Sequence, residues 1–419
     1  MRKAFFMYFI AALFLFFEMA VQVSPSVMTV QLSRDLNMSF LGLGIMSGFY
    51  FYSYTCMQIP SGLLFDRFNP RKVIMLSVLT CVLGCLFLGF AANVEMACIA
   101  RLLMGFGSAF AFVSVLVVTV DLFPARYFAI LTGVTQMLAA LGAMSGQWPV
   151  HMLVNRIGWR HSMIFFALVG LMIIFIVYHF LKYEKVPIKI QSSAQKSALL
   201  KNLKKIIMQS QTWYLAFYAC LLWAPMSAFA SLWGVPFLKQ VDHLSNGQAA
   251  FSCSLMWLGL AIASPLLGYF ATQWCSKKMG LMISSAIGFL SFGLVMLCHW
   301  SFIPLSMLLF LSGAACAGQA LSFALVKDNA LSNTVASAIA FNNMAVVISG
   351  ALFQPLIGAV LHCLKGNAEN NFYFSSFLIL SAYFFAYLIA RFCIQEKKMF
   401  FYRKKILFLN QVSYSKIIK

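Results

Sequence analysis

Charge is what this sequence has least of. Only 10% of its 419 residues are Asp, Glu, Lys or Arg, against about 25% in an ordinary soluble domain. Acids number just ten. A chain that is 62% hydrophobic and 16% aromatic, with a mean hydropathy of +0.87, has too little polar surface to face water. Its solvent is therefore lipid. The eleven cysteines contain no Cys-x-x-Cys pair, and the six histidines do not gather around them. That argues against a disulfide framework, and no metal site is expected. No grouping of nucleophile, base and metal ligands occurs, so no enzyme is expected. The net charge of +20 does not point to nucleic acid. The basic residues sit in short loops between apolar runs, where they set topology.

Twelve such runs are present, at about 5–30, 41–64, 73–92, 96–120, 128–150, 161–182, 212–238, 250–273, 279–299, 303–326, 336–361 and 372–394. Each is near or above the ~20 residues a helix needs to cross the hydrocarbon layer. The expected fold is an all-α integral membrane protein of twelve transmembrane helices in two pseudo-symmetric six-helix halves. The first half is 1–182, a linker follows at 183–211, the second half is 212–396, and a basic tail closes the chain at 397–419. Met1-Arg2-Lys3 opens a run with no cleavage signal after a short core, so the first span is read as uncleaved. In the linker, Leu199, Leu200, Leu203, Ile206 and Ile207 recur at helical spacing opposite Lys201, Lys204 and Lys205. This reads as an amphipathic helix on the membrane surface. With the amino terminus inside, 24 of the 30 Lys and Arg fall on the inner side and five outside, and Arg101 lies within span four. Both termini are therefore expected in the cytoplasm.

The halves echo each other. Gly62 is followed nine and ten residues later by Arg71 and Lys72; Gly268 is followed likewise by Lys277 and Lys278. Asp121 aligns with Asp328, and glycines recur in spans four and ten (Gly105, Gly107; Gly313, Gly318). Such repeats around a central site are a transporter pattern. The second copy is degraded, with Thr272-Gln273 where the first has Asp66-Arg67.

The loop Gly62-Leu-Leu-Phe-Asp66-Arg67-Phe-Asn-Pro-Arg71-Lys72 resembles the cytoplasmic loop motif of the major facilitator superfamily, and Arg101-Leu-Leu-Met-Gly105-Phe-Gly107 resembles that family's fourth-span motif. The resemblance implies that Gly62, Asp66, Arg67, Arg71 and Lys72 gate the inner side. A narrower similarity, to the phagosomal transporter (Pht) family of bacteria living inside host cells, rests on several strings. These are Ser24-Pro-Ser-Val-Met28, Met57-Gln-Ile-Pro-Ser-Gly62 and Gly350-Ala-Leu-Phe-Gln-Pro-Leu-Ile-Gly358. It implies import of amino acids or nucleosides across a bacterial inner membrane.

Glu18 is the one acid near the middle of a span. A carboxyl is costly to keep ionised in hydrocarbon and is functional by default there, so Glu18 is the expected proton carrier. The expected substrate cavity is lined by Gln22, Tyr50, Tyr54, Arg101, Gln136, Trp223, Gln319, Asn342 and Asn343. Pro225 is expected to bend span seven. The expected activity is proton-coupled import of a small polar nutrient, an amino acid, by a monomer needing only lipid and a proton gradient, with no cofactor. Efflux or uptake of another solute (nucleoside, siderophore or drug) is the alternative within transport. A non-transporting sensor or scaffold is the alternative from another class.

Overall fold

In hydrocarbon, every backbone amide must bond within its own segment, so apolar runs of this length fold as helices. The computed structural model describes residues 2–124, 127–181, 207–273, 276–330 and 335–396. Among them are helices alone, with no strand. Span one is Arg2–Val27, with a short helix Thr29–Asp35 beyond it. Spans two and three are Phe40–Arg67 and Pro70–Gly89, and span four is Val94–Leu122. Spans five and six share the stretch Leu131–Phe180, whose 50 residues are enough for two crossings. They reverse at Gly158, where φ is +78°. The sequence pattern had placed a loop at 151–160; in the structure, helix fills most of it and a single glycine makes the turn, a backbone conformation L side chains rarely adopt. Span seven is Ser210–Gln240, followed by Asn246–Gln273, Lys277–Leu297, Phe302–Asn329, Val335–Cys363 and a twelfth span starting at Ala368. The linker from 182 to 206 and the tail from 397 lie outside the described residues.

The outward faces are apolar, as lipid allows. On span three, Leu76, Leu79, Leu83 and Phe87 are exposed in a helical stripe, while Ile74, Val78, Cys81 and Cys85 face inward.

The repeat extends to turn chemistry. Asn37 and His243, 206 residues apart, both adopt left-handed backbone, with φ 51° and 53°. Ser39 then caps span two, accepting from Gly42 N at 3.2 Å, and Ser245 caps span eight, accepting from Gln248 N at 3.3 Å. Asn69 and Ser276 cap spans three and nine in the same way. Gly105 lets span four lie on the Tyr50 carbonyl of span two, and Gly313 lets span ten lie on the Met256 carbonyl of span eight. No other residue fits either crossing, because any Cβ would collide with backbone.

Candidate functional site

A cavity of about 100 Å³ lies between the halves. Its walls come from spans one, two, four, five, seven, eight, ten and eleven. Of the residues expected there, Glu18, Gln22, Tyr54, Gln136, Trp223, Gln319 and Asn343 line it. Tyr50, Arg101 and Asn342 do not. They sit one layer behind. The sequence reading missed Trp257, Phe51, Phe112 and Phe323, which also line it. The repeat contained the signal for some of them, since Trp257 aligns with Phe51, and Gln319 with Phe112, at offsets of 206 and 207.

Glu18 is 1% exposed. Tyr50 donates its hydroxyl to Glu18 Oε2 at 2.7 Å. Glu18 Oε1 has no partner among the described residues, and it belongs to the only charged side chain lining the cavity there. One carboxyl oxygen is thus held by Tyr50, and the other is buried beside the cavity without a hydrogen-bond partner among the described residues.

Arg101 explains why span one stays bent beside this site. Pro25 has no N–H to give Val21, so the helix ends and tightens at Ser24–Val27. The freed carbonyls of Val21 and Gln22 accept from the Arg101 guanidinium at 3.3 and 3.2 Å. Ser24 Oγ also donates to Val21 O at 3.0 Å. A cation at a helix C-terminus complements its dipole. The same guanidinium lies 4.6 Å above the Tyr50 ring, which in turn holds Glu18. Arg101 is therefore a strut behind the carboxylate, fully buried and turned away from the solute space. Asn342 points to Ser322 Oγ at 3.1 Å.

The two ends of the cavity differ. Towards the end away from the Asp66 loop, the far end, the halves touch. A Cβ added to Gly44 would lie 2.6 Å from the Gln354 carbonyl, and one on Gly358 would lie 2.6 Å from the Phe40 carbonyl. Gln147 donates across the seam to Ala230 O, and Trp148 N donates to Ser254 Oγ at 3.3 Å. Towards the basic end, nothing among the described residues comes within 4 Å of a Cβ on Gly62 or Gly133. Asn343 Nδ2 reaches Gln58 Oε1 at 2.5 Å, the last cross-half bond seen in that direction. The cavity is sealed at the far end and loosely bounded at the basic end.

The loop residues are spread out at the basic end. Arg67 and Lys72 are exposed. Arg71 donates to Tyr178 O and lies 4.6 Å over the Tyr178 ring, inside its own half. The Asp66 side chain is outside the described residues. In the second half, Lys277 pairs with Asp328, the residues that the repeat aligns with Arg71 and Asp121. Glu396 caps the same helix start, accepting from Lys277 N at 3.0 Å.

A broken-helix cavity between two six-helix repeats describes a transporter architecture, and comparison with known proteins names it. The profile of the Major Facilitator Superfamily matches residues 4–354. The chain belongs to the major facilitator superfamily. It is a multi-pass membrane transporter and not an enzyme. A relative from Cupriavidus necator, named as a probable sulfoacetate transporter, SauU, is 27% identical over 150 residues, 36% of this chain and 35% of that one. The chain thus matches only about a third of that relative's length. The crystal structure of the nucleoside transporter NupG superposes with a TM-score of 0.75 at 13% identity, covering 92% of this chain and 99% of that one. A bacterial homologue of the human lysosomal transporter Spinster, in an inward-facing and occupied conformation, gives 0.71 at 14% identity, covering 92% and 96%. At these identities the likeness is one of fold.

Proposed function

We propose that the protein imports a small polar nutrient, an amino acid, together with a proton, by rocking its two halves around the central cavity. Glu18 carries this reading. It is a buried carboxyl at the cavity wall whose Oε2 is fixed by Tyr50 and whose Oε1 has no hydrogen-bond partner among the described residues. Such a group changes protonation only when its access to water changes, which is what alternating access supplies.

The asymmetry of basic residues supports a reading in which the basic end lies in the cytoplasm, at a bacterial inner membrane. The open basic end and sealed far end then correspond to an inward-facing state. Import requires the far seam, Gln147 to Ala230 and Gly44 to Gln354, to part, and the Gly62–Lys72 region to close. With no cationic side chain lining the cavity among the described residues, an organic anion such as the Cupriavidus relative's named solute is a poor fit. A nucleoside is the second reading. The amide- and aromatic-rich lining, with Gln136, Gln319, Trp223 and Trp257, suits a base as well as an amino acid.

The test is Glu18→Gln in proteoliposomes. Accumulation driven by a pH gradient is expected to vanish while solute exchange persists. Undiminished accumulation would rule Glu18 out as the proton carrier.

A further inference from the structure

Three side chains at the cavity hold polar atoms with no partner among the described residues: Glu18 Oε1, Trp257 Nε1, and both amide atoms of Gln319. Their side chains are 1%, 0% and 4% exposed. Leaving a donor or acceptor unmet at such depth carries a desolvation penalty that packing alone does not remove. Trp257 is also unlike other indoles of this chain. Trp159 donates to Asp35, Trp213 to Ile207 O, Trp233 to Gln354 O and Trp300 to Leu294 O. The Trp257 N–H has been kept in a buried wall with nothing of its own to bind.

We infer that Trp257 and Gln319 are the second half's solute-binding groups, that they take the solute's carboxylate, and that Glu18 meets that carboxylate from the first half only when it holds a proton. This rests on the amino-acid reading and adds which groups recognise the solute and how the proton is tied to it. Tyr50 donates to Oε2, so the carboxyl's proton belongs on Oε1, the oxygen without a partner among the described residues. Protonated, Oε1–H is a second donor beside the Trp257 N–H, one for each carboxylate oxygen. Ionised, Oε1 is an acceptor and repels a carboxylate. Solute binding therefore demands the proton, which enters from the far side with the solute and leaves to the basic side with it. Gln319 has both amide atoms free, so its Nε2 serves the carboxylate and its Oε1 the ammonium. The rest of the wall is uncharged among the described residues: Phe51, Phe112 and Phe323 share it with Gln22, Gln136 and Asn343. The solute class is a small amino acid with an uncharged side chain.

The experiment uses full-length protein in proteoliposomes with a pool of labelled L-amino acids. Whichever amino acid accumulates is then competed against its own amino alcohol, which keeps the amine and loses the carboxylate. Wild type is expected to prefer the amino acid by about tenfold or more, the worth of a hydrogen bond to a charged group. Trp257→Phe, with an unchanged melting temperature, is expected to weaken the amino acid about tenfold and bring the two compounds within roughly threefold of each other. Should Trp257→Phe not fold, Gln319→Met is read the same way. A folded variant that discriminates as wild type does overturns the assignment and leaves amino-acid transport standing. If folded wild type accumulates no amino acid from the pool, both the assignment and the transport reading fall.

Discussion

Spans one and seven occupy matching places in the two halves, and each is broken near the cavity, yet the breaks are held differently. In span one, the carbonyls of Val21 and Gln22 are taken by Arg101, a cation from span four of the same half. In span seven, the turn widens into a π-helix over Pro225–Trp233. Its freed carbonyls at Ser227 and Ala230 are taken by neutral amides, Gln354 at 2.6 Å from its own half and Gln147 from the other. The ends beyond the breaks differ too. Asp35, past span one, accepts from Trp159 Nε1 at 2.8 Å and from Arg34 and Arg160 at 2.9 and 3.1 Å. Asp242, its counterpart 207 residues on, has neither oxygen paired among the described residues. One helix is locked within its half by charge. The other is fastened across the seam by a bond weak enough to break in each cycle.

The largest effect should come from removing the lock. Arg101→Met leaves the Gln22 carbonyl buried without a donor and strips the Tyr50 ring of its cation. A loss on the order of 3 kcal/mol is expected, read as a lower melting temperature and reduced folded yield. Arg101→Lys should recover little, because an ammonium does not match the planar fork that spans two carbonyls and lies over a ring. A wild-type melting temperature in Arg101→Met would break the comparison.

A smaller effect is expected at the seam. Gln147→Leu removes one neutral hydrogen bond, about 1 kcal/mol, which should shift the opening equilibrium of the far end roughly fivefold with little change in folding. The readout is labelling of a cysteine at position 19, in a cysteine-free background, by an impermeant thiol reagent. Wild type should label from the basic side and Gln147→Leu from both. Labelling from the basic side alone in both proteins would show that Gln147 does not fasten the seam.

The smallest effects should have opposite signs at the two aspartates. The hydrogen bond from Trp159, with Arg34 beside it, holds Asp35 below the usual carboxylate range. Its stabilisation is present above the unfolded value and fades as pH falls through the lowered one. Asp35→Asn should therefore lower the melting temperature at pH 7 and change nothing in strong acid. Burial pushes Asp242 up to about 6. The folded state then disfavours the ionised form, a penalty present above about 6 and gone below about 4, the ordinary aspartate value. Asp242→Asn should raise the melting temperature at pH 7.5 and leave it unchanged at pH 4. Melting curves at pH 7.5, with a second at pH 4 for Asp242→Asn and in strong acid for Asp35→Asn, check both variants, and shifts of the same sign at pH 7.5 would sink the contrast.

Much of this was legible in the sequence because lipid imposes simple rules. Uninterrupted apolar runs have one outcome in hydrocarbon, so the fold class and the repeat could be read directly. Glu18 stood out because a mid-span acid is rare. Gln136 and Gln319 stood out because amides there are also conspicuous. The remainder depended on three-dimensional pairing. Arg101 looked like a cavity residue because the bend it supports is signalled only by Pro25, more than seventy positions away. Trp257 was passed over because indoles are ordinary in membrane helices, and what sets it apart is a missing partner. Gln147 and Gln354 stand 207 residues apart, at matching places in the two halves, but the π-helix whose carbonyls both of them bind comes from a third segment.

The central claim is proton-coupled import through Glu18. Uptake of pooled labelled amino acids into proteoliposomes, with and without an inward proton gradient, tests it most directly. Accumulation above equilibrium only when the gradient is imposed is the predicted result. Equal uptake in both conditions, or none by correctly folded protein, would contradict it.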